Sequence, residues 1–182
     1  TGLTSAATAA VDTYTIDPVH SSVAFSIRHF VSKVPGKFSN FRGTITVDRD
    51  NLAQSMAEAT IEVGSVNTDN ENRDKHLRTA DFFDAEKYPT IKFTSTSWKT
   101  TGTDTYEVTG NLTIKDVTKS VVLKVSLLGF GPGMQGVQLS GWEATTTIDK
   151  KEFNINDPAM LDAALGDDVT ITINIEAGFK KA

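Results

Sequence analysis

Apolar and polar residues alternate along most of the chain from Tyr14 onward, and this alternation predicts β-strands. In residues 22–31, for example, Phe25 and Ile27 fall on one face of a predicted strand. About eight such runs follow one another, each with an apolar face and a polar face rich in Thr, Lys and Glu. Short turns such as residues 101–104 separate neighbouring runs, so we expect antiparallel strands rather than helical crossovers.

Strands with a single apolar face can build either a two-sheet sandwich or one sheet rolled into a barrel. Few helical segments are available to cover an open sheet, which favours a sheet that closes on itself. A barrel of about eight strands is either just filled by its side chains or holds one elongated small ligand. We therefore predict an all-β fold, an eight-stranded antiparallel barrel, as a single domain at residues 13–180 after a flexible leader at residues 1–12.

The alternation stops between residues 65 and 95, where charged residues of both signs surround two adjacent phenylalanines, Phe82 and Phe83. A segment of this length without strand character inside a compact domain is commonly functional or covers a site. Residues 71–80 predict a short helix behind an Asn or Asp cap. We interpret the segment as a cover beside the barrel opening, with the two phenylalanines as core residues that can also contact a ligand.

The predicted helix places Arg73, His76 and Leu77 on the face that turns toward the protein. Its opposite face carries acid–base pairs at a spacing of four residues, and we expect that face to be solvated; it consists of Glu71, Asp74, Lys75 and Arg78. A cation on an inward face needs a protein carboxylate or carbonyl, or an anionic ligand, as its partner. Arg73 and His76 therefore have two open interpretations, a structural contact or contact with the polar head of a lipid.

A second short helix is predicted just before the last strand. Asp157 stands at the N-cap position, Pro158 at the first helical position, and Gly166 after the apolar residues that follow. The segment is long enough for about two helical turns.

The inward faces of the predicted strands define the residues that would line the barrel interior. Because these residues are apolar, a ligand held among them must itself be apolar. The alternative, which the alternation on its own favours, is that the side chains fill the interior themselves. The predicted lining consists of Phe25, Ile27, Phe41, Ile45, Ile61, Val63, Phe93, Val108, Leu112, Leu123, Val125, Trp142, Ile171 and Ile173, with His29 as a pocket histidine in phase with them.

Composition narrows the class of protein. Of the 182 residues, 38% are hydrophobic and 23% are charged, which is typical of a globular domain rather than a disordered chain. The formal net charge is -5 and no basic run is present, which argues against nucleic-acid binding. No apolar run is long enough to span a bilayer, and the absence of cysteine excludes disulfides. Residues 1–10 are small and suit either the tail of a secretory signal peptide or a flexible leader of another origin.

Motifs for catalysis and metal binding are missing from the sequence. It contains no G-x-S-x-G elbow, no Gly-rich phosphate loop and no cysteine nucleophile. No acidic pair lies in a predicted apolar face, where burial would raise a carboxyl pKa for acid–base chemistry. His20 and His29 would point to opposite faces of one straight strand, and no histidine spacing matches a zinc site. We predict no catalytic residue, no metal and no cofactor.

Several segments resemble one known family. They include YTIDPVHS at residues 14–21, RDKHLR at residues 73–78, ADFFD at residues 80–84 and YPTIKF at residues 88–93. With further segments along most of the chain, these are similar to the YceI-like polyisoprenoid-binding family. The resemblance implies a lipocalin-like barrel that takes an isoprenoid or a similar long-chain lipid into its interior. It also implies an exported protein, periplasmic or secreted, and a homodimer.

Four positions depart from the pattern of that family. Asp116 stands where a glycine is usual, Pro35 replaces a basic residue, and Lys150 and Asn154 stand in place of Arg and Gly. Lysine lacks the bidentate geometry with which arginine binds an anion, so anion binding near Lys150 is expected to be weaker.

The predicted function is to bind and carry a long-chain apolar lipid, most specifically a polyisoprenoid of the quinone or prenyl phosphate type, without catalysis. A lipid-modifying enzyme, such as a prenyl-phosphate hydrolase, is one alternative. A stress-related interaction protein with a filled core is the other. The enzyme would turn over a lipid substrate such as a polyprenyl phosphate. The interaction protein would contain no bound lipid.

Overall fold

A computed structural model describes residues 11–180 of the protein. They form one short helix, α1 (Glu71–Leu77), and one sheet of eleven strands. The strands are β1 (Val11–Ile16), β2 (Ser22–His29), β3 (Ser32–Phe38), β4 (Phe41–Asp48), β5 (Met56–Glu62), β6 (Val66–Asn67), β7 (Thr90–Gly102), β8 (Thr105–Ile114), β9 (Val117–Pro132), β10 (Val137–Asp149) and β11 (Leu165–Lys180). Short 3-10 turns occur at Leu52–Gln54, Val63–Ser65, Met134–Gly136 and Lys150–Phe153. Within residues 11–180, no helix is long and apolar enough to cross a membrane.

Three of the long strands of the barrel are each divided in two by a short break. β1 and β2 lie end to end along one edge of β11. On their other side, β4 pairs with β1 and β3 pairs with β2. In the same way, β5 pairs with β4 and β6 pairs with β3. Counted in this way, eight long strands follow one another around the ring in chain order, and β11 closes it against β1 and β2. Every pairing is antiparallel, so the predicted eight-stranded antiparallel barrel is confirmed.

The folded domain begins slightly earlier than the predicted boundary at residue 13. Val11 pairs with Asp48 and Asp12 pairs with Val47, so both residues belong to β1. The rest of the predicted leader, residues 1–10, lies outside the described residues.

One end of the barrel is packed with aromatic side chains. Trp98 and Trp142 meet edge to face with their ring centroids 5.6 Å apart, and further ring pairs at 4.9–6.2 Å extend the group. We call this group the aromatic plug; it consists of Tyr14, Trp98, Tyr106, Phe130, Trp142 and Phe179. The strand registers place the β2–β3 hairpin, α1 and the chain between β10 and β11 at the other end.

The second predicted helix, before the last strand, is wrong. Residues 159–164 form turns, in which Pro158 accepts from the backbone N–H of Leu161 and Leu161 accepts from those of Ala164 and Leu165. The Asp157 side chain does not cap a helix, because its carboxylate is engaged by Lys150 at 2.9 Å. A helix this short has little stability of its own, so these contacts decide the conformation.

The first predicted helix is confirmed but ends earlier, at Leu77 instead of residue 80. The Asn70 side chain caps it by accepting the backbone N–H of Arg73 at 2.9 Å, as the cap prediction required. Beyond Leu77, the Thr79 hydroxyl donates to the carbonyl of His76 at 2.6 Å and the chain turns.

A polar bracket holds the break between β1 and β2. The His20 Nδ1 atom lies 2.7 Å from Oδ2 of Asp17 and 3.3 Å from Oε2 of Glu176, which belongs to β11. The backbone N–H of Asp17 also donates to the Glu176 carbonyl at 2.9 Å. The hydrogen bond to Asp17 raises the pKa of His20, and the same hydrogen bond lowers the pKa of Asp17. The bracket therefore ties the first long strand to β11 at the point where the ladder is broken.

The bracket predicts a pH dependence of stability. Because the pKa of His20 is raised above 6.5, its stabilisation is complete below that pH and is lost as the pH rises through the folded-state pKa. Asp17 contributes above its ordinary pKa of 3.8, and its contribution is lost as the pH falls through its lowered value. In thermal unfolding between about pH 5 and about pH 8, the Tm advantage of the native chain over His20→Gln should therefore shrink as the pH rises. An advantage that does not change with pH would contradict this assignment.

Candidate functional site

The barrel encloses a cavity of about 390 Å³ whose wall receives residues from all eight long strands. Every residue of the predicted site lines it except Val63. Strand residues on the wall run from Phe25 and Ile27 in β2 to Ile171 and Ile173 in β11, and the segment after β6 adds Arg73, His76, Leu77, Phe82 and Phe83. The alternative in which side chains fill the interior completely does not describe this barrel.

Val63 does not line the cavity because the strand alternation ends just before it. The 3-10 turn Val63–Ser65 follows Glu62, and the N–H of Val63 donates to the carbonyl of Pro89 at 2.9 Å. Its side chain is buried in the core instead. The prediction for this residue is therefore corrected.

Two aromatic rings lie flat against the wall because the positions beneath them are glycines. A Cβ atom at Gly36 would collide with the ring of Phe25, and one at Gly110 would collide with the ring of Phe93. Phe25 and Gly36 are direct partners across β2 and β3. Glycine thus provides the space that each ring occupies, and the rings take up less of the interior.

Arg73 at the mouth of the cavity is held by Thr68. Its Nε and Nη2 atoms donate to the hydroxyl and the carbonyl of Thr68, each at 2.7 Å. The Asp74 carboxylate accepts from the backbone N–H and the hydroxyl of Thr68, at 2.8 and 2.6 Å. Asp74 is consequently buried, and the prediction that it lies on a solvated face is wrong. The structural interpretation of Arg73 is thereby confirmed for two of its donor atoms.

His76 is also engaged by the protein. Its Nε2 atom lies 2.8 Å from a carboxylate oxygen of Asp81, and its ring packs edge to face on Phe82 at 5.0 Å. Arg78 donates to the carbonyl of Gly64 at 3.1 Å, rather than pairing with Asp74 as the helix spacing predicted. The mouth therefore places Arg73 and His76 beside a largely apolar wall, and each has a protein partner.

Lys150 is one of four polar lining residues that the predicted site did not include, with Glu58, Thr68 and Thr146. Its side chain is 4% exposed, and its Nζ lies 2.9 Å from Asp157, 2.8 Å from the carbonyl of Gly166 and 3.4 Å from Asp167. The other oxygen of Asp157, Oδ1, is buried and has no protein hydrogen-bond partner among the described residues. The signal was present in the sequence, because the inward alternation of β10 continues past Ile148 to Lys150.

Within residues 11–180, two groups of carboxylates and histidine lie close enough together to bind a metal ion. Asp157, Asp162 and Asp167 lie close together, but the ammonium groups of Lys150 and Lys151 already sit among them at 2.9–3.7 Å. The hydrogen bond from Lys151 lowers the pKa of Asp167, so this carboxylate is held as an anion by a lysine. The second group is the bracket of Asp17, His20 and Glu176, which already has a structural role. Neither group calls for a cation.

A closed antiparallel barrel around an apolar cavity defines a lipocalin-like barrel. The sequence profile of the YceI-like domain matches residues 14–177. The chain belongs to the YceI-like family, as the sequence resemblance indicated.

Known proteins agree with this assignment. The protein YceI of Shigella flexneri is 44% identical over 154 residues, which cover 83% of this chain and 80% of that protein. The crystal structure of Burkholderia cenocepacia BcnA superposes with a TM-score of 0.81 at 26% identity, covering 89% of this chain and 99% of BcnA. A polyisoprenoid-binding domain from Saccharophagus degradans, implicated in plant cell wall breakdown, shares the fold at a TM-score of 0.70 and 13% identity, covering 90% of this chain and 97% of that one.

The burial of Lys150 and Asp157 predicts a large effect of removing either partner alone. Lys150→Met leaves the Asp157 carboxylate buried without its cation and should lower the free energy of unfolding by about 3–5 kcal/mol in urea titrations. The double variant Lys150→Met with Asp157→Leu should recover most of that loss, because it removes both charges.

Lys151→Met is the matched control for this experiment, because Lys151 is the next residue and its side chain is 44% exposed. Its loss should cost much less stability than the loss of Lys150, because solvent screens an exposed ion pair. Equal losses for Lys150→Met and Lys151→Met would show that burial of the pair has no energetic consequence.

Proposed function

We propose that the protein binds and carries a long-chain apolar lipid in the barrel cavity, without catalysis, and that the lipid is a polyisoprenoid. The observation that carries this proposal is the enclosed cavity of about 390 Å³ with a nearly continuous apolar wall. Its volume lies within the range of roughly 300–1,000 Å³ that is usual for small-molecule sites. The family assignment and the polyisoprenoid-binding domain of the same fold support the choice of ligand class.

The energetics favour recognition of the chain of the lipid over its head. Each buried CH₂ group contributes about 0.8 kcal/mol, whereas one hydrogen bond to a charged group contributes about 1.5–3 kcal/mol. Even about ten carbon atoms in contact with the apolar wall therefore contribute more affinity than one such hydrogen bond. Polar residues at the mouth would set the direction of binding and the choice of head group.

The family resemblance also supports a periplasmic or secreted location and a homodimer, which we include in the proposal. Light scattering across a concentration series measures the oligomeric state directly. A monomer at every concentration would remove the dimer from the proposal without affecting lipid binding.

The decisive experiment is native mass spectrometry of the purified protein, followed by organic extraction and identification of the released molecule. The proposal expects one isoprenoid chain per barrel. Protein that releases no lipid and binds no added polyprenol would favour an interaction protein. Turnover of an added polyprenyl phosphate would instead identify an enzyme.

The cavity predicts that a bulky side chain on the wall blocks binding. Ala144 lines the cavity from β10 between Val125 and Ile173, so Ala144→Phe should occupy space that the lipid needs. We expect at least a tenfold loss of polyprenol affinity by fluorescence titration, equivalent to the burial of about two CH₂ groups. Thr145→Phe adds the same ring to the exposed outer face of the same strand and should leave the affinity unchanged. Equal affinities for both variants would place the ligand outside the cavity.

Arg73 predicts a difference between ligand head groups. Thr68 uses two of its donor atoms, and a guanidinium has five N–H donors, so an anionic head can be met by the others. Arg73→Gln, alone or with His76→Gln, should weaken binding of a polyprenyl phosphate by about tenfold and binding of the alcohol of equal length by much less.

Arg42→Gln serves as the control for Arg73→Gln. Arg42 also forms a polar contact, with Glu62 at 2.8 Å, but it does not line the cavity. Equal losses for the phosphate and the alcohol in Arg73→Gln would remove Arg73 from head-group recognition.

A further inference from the structure

The tip of the β2–β3 hairpin exposes two large apolar side chains. His29 pairs with Ser32, so the two-residue turn consists of Phe30 and Val31. Phe30 is 61% exposed and Val31 is 93% exposed. An exposed apolar pair at the end of a projecting hairpin is a contact surface of the kind that binding partners use.

The turn also departs from the usual chemistry of a two-residue hairpin. Phe30 has a φ of 46°, in the left-handed region where Gly, Asn and Asp are favoured and a bulky residue is strained. Val31 is not in that region, so local stability would be served better by glycine at the first position, as in Gly-Asn. Phe30 and Val31 are unfavourable both for the turn and for solubility. Their presence therefore indicates a role in binding rather than in folding.

The tip stands beside the mouth of the cavity. His29 and Val34, on either side of it, both line the cavity. The N–H of Phe30 donates at 2.7 Å to the carbonyl of Ala164, in the loop before β11. That loop contributes Leu161 to the cavity wall and exposes Met160, which is 93% accessible. The outer apolar surface and the cavity wall thus belong to the same two segments of chain.

The hairpin is positively charged within a chain of net charge -5. It carries Arg28, Lys33 and Lys37, all exposed, and residues 22–38 contain no acidic side chain. Asp167, in the neighbouring part of β11, is paired with Lys150 and Lys151. An apolar tip flanked by exposed basic residues is complementary to an anionic lipid surface, where apolar groups enter the acyl region and cations meet the head groups.

We propose that the β2–β3 hairpin docks the protein onto anionic lipid bilayers, with Phe30 and Val31 inserted and the cavity mouth facing the bilayer. In this orientation an apolar chain passes between the bilayer and the cavity along Val34 and Leu161, without crossing open water. Docking of this kind would serve lipid transfer, so its biological role rests on the proposed lipid binding. Its measurement is independent, because docking is assayed without any cavity ligand.

The test is flotation of the protein with vesicles of equal parts phosphatidylcholine and phosphatidylglycerol. The variant combines Phe30→Gly and Val31→Asn, which removes the apolar surface and places glycine at the position with positive φ. We expect it to keep or raise the Tm and to lose at least about tenfold in vesicle partitioning, because two apolar side chains no longer insert. Lys33→Gln with Lys37→Gln should lose about fivefold or more on these vesicles and little on pure phosphatidylcholine.

Met134→Ser is the matched control for the hairpin variant. Met134 is 85% exposed in the turn before β10, at the end of the barrel that carries the aromatic plug, and no charged residue lies within residues 129–136. It should leave vesicle partitioning unchanged.

Three outcomes would overturn docking to a bilayer. The first is equal flotation of the native chain and the hairpin variant, and the second is no flotation of the native chain. The third is a native dimer that becomes a monomer in the hairpin variant, which would assign the tip to contact between two copies. Polyprenol titration of the hairpin variant separates the two proposals, since affinity should be unchanged if only docking is lost. Docking without polyprenol binding by the native chain would instead contradict the proposed function alone.

Discussion

Closure of the sheet along β11 is the constraint on which the rest of the structure depends. This strand pairs with β10 along one edge and with β1 and β2 along the other, so it joins the two ends of the ring. Without the closing pairs, the edges would expose unpaired backbone groups and the cavity would lose its wall. The bracket of Asp17, His20 and Glu176 matters because it spans the break in this seam, where its side-chain contacts add to the backbone hydrogen bond from Asp17 to Glu176.

Polar groups at the mouth illustrate a second constraint, which is that buried charge must be compensated. Thr68 links Arg73 to Asp74 through its hydroxyl and backbone, and Lys150 reaches Asp157 and a carbonyl. These contacts hold the segment after β6 and the loop before β11 in place over the barrel end. They also leave the wall between them almost entirely apolar. The mouth can therefore be both rigid and polar while the interior remains suited to a hydrocarbon chain.

The alternation of side chains predicted the strands and most of the lining, because a strand with one buried face has a period of two. The scarcity of helical segments then favoured a barrel over a sandwich. It failed where the chain leaves the strand. Val63 follows the alternation of β5 but sits in a 3-10 turn, and residues 159–164 carry helix signals that tertiary contacts of Asp157 override. Helical spacing predicted that Asp74 is exposed. Its burial results from hydrogen bonds with Thr68, which precedes the helix, and helical spacing does not reveal such contacts. Lys150 was not predicted to line the cavity because lysine side chains are usually exposed, although Lys150 continues the inward-facing positions of β10.

The aromatic plug has a consequence for any chain that enters the barrel. Trp98 and Trp142 line the cavity and pack on each other in the plug, so their indole rings limit its depth at that end of the barrel. Under the proposed lipid binding, a chain that enters at the mouth would advance toward these rings and stop at them. Carbon atoms beyond that depth would remain outside the barrel. The position of the plug would thus set the length of lipid chain that the barrel can bury.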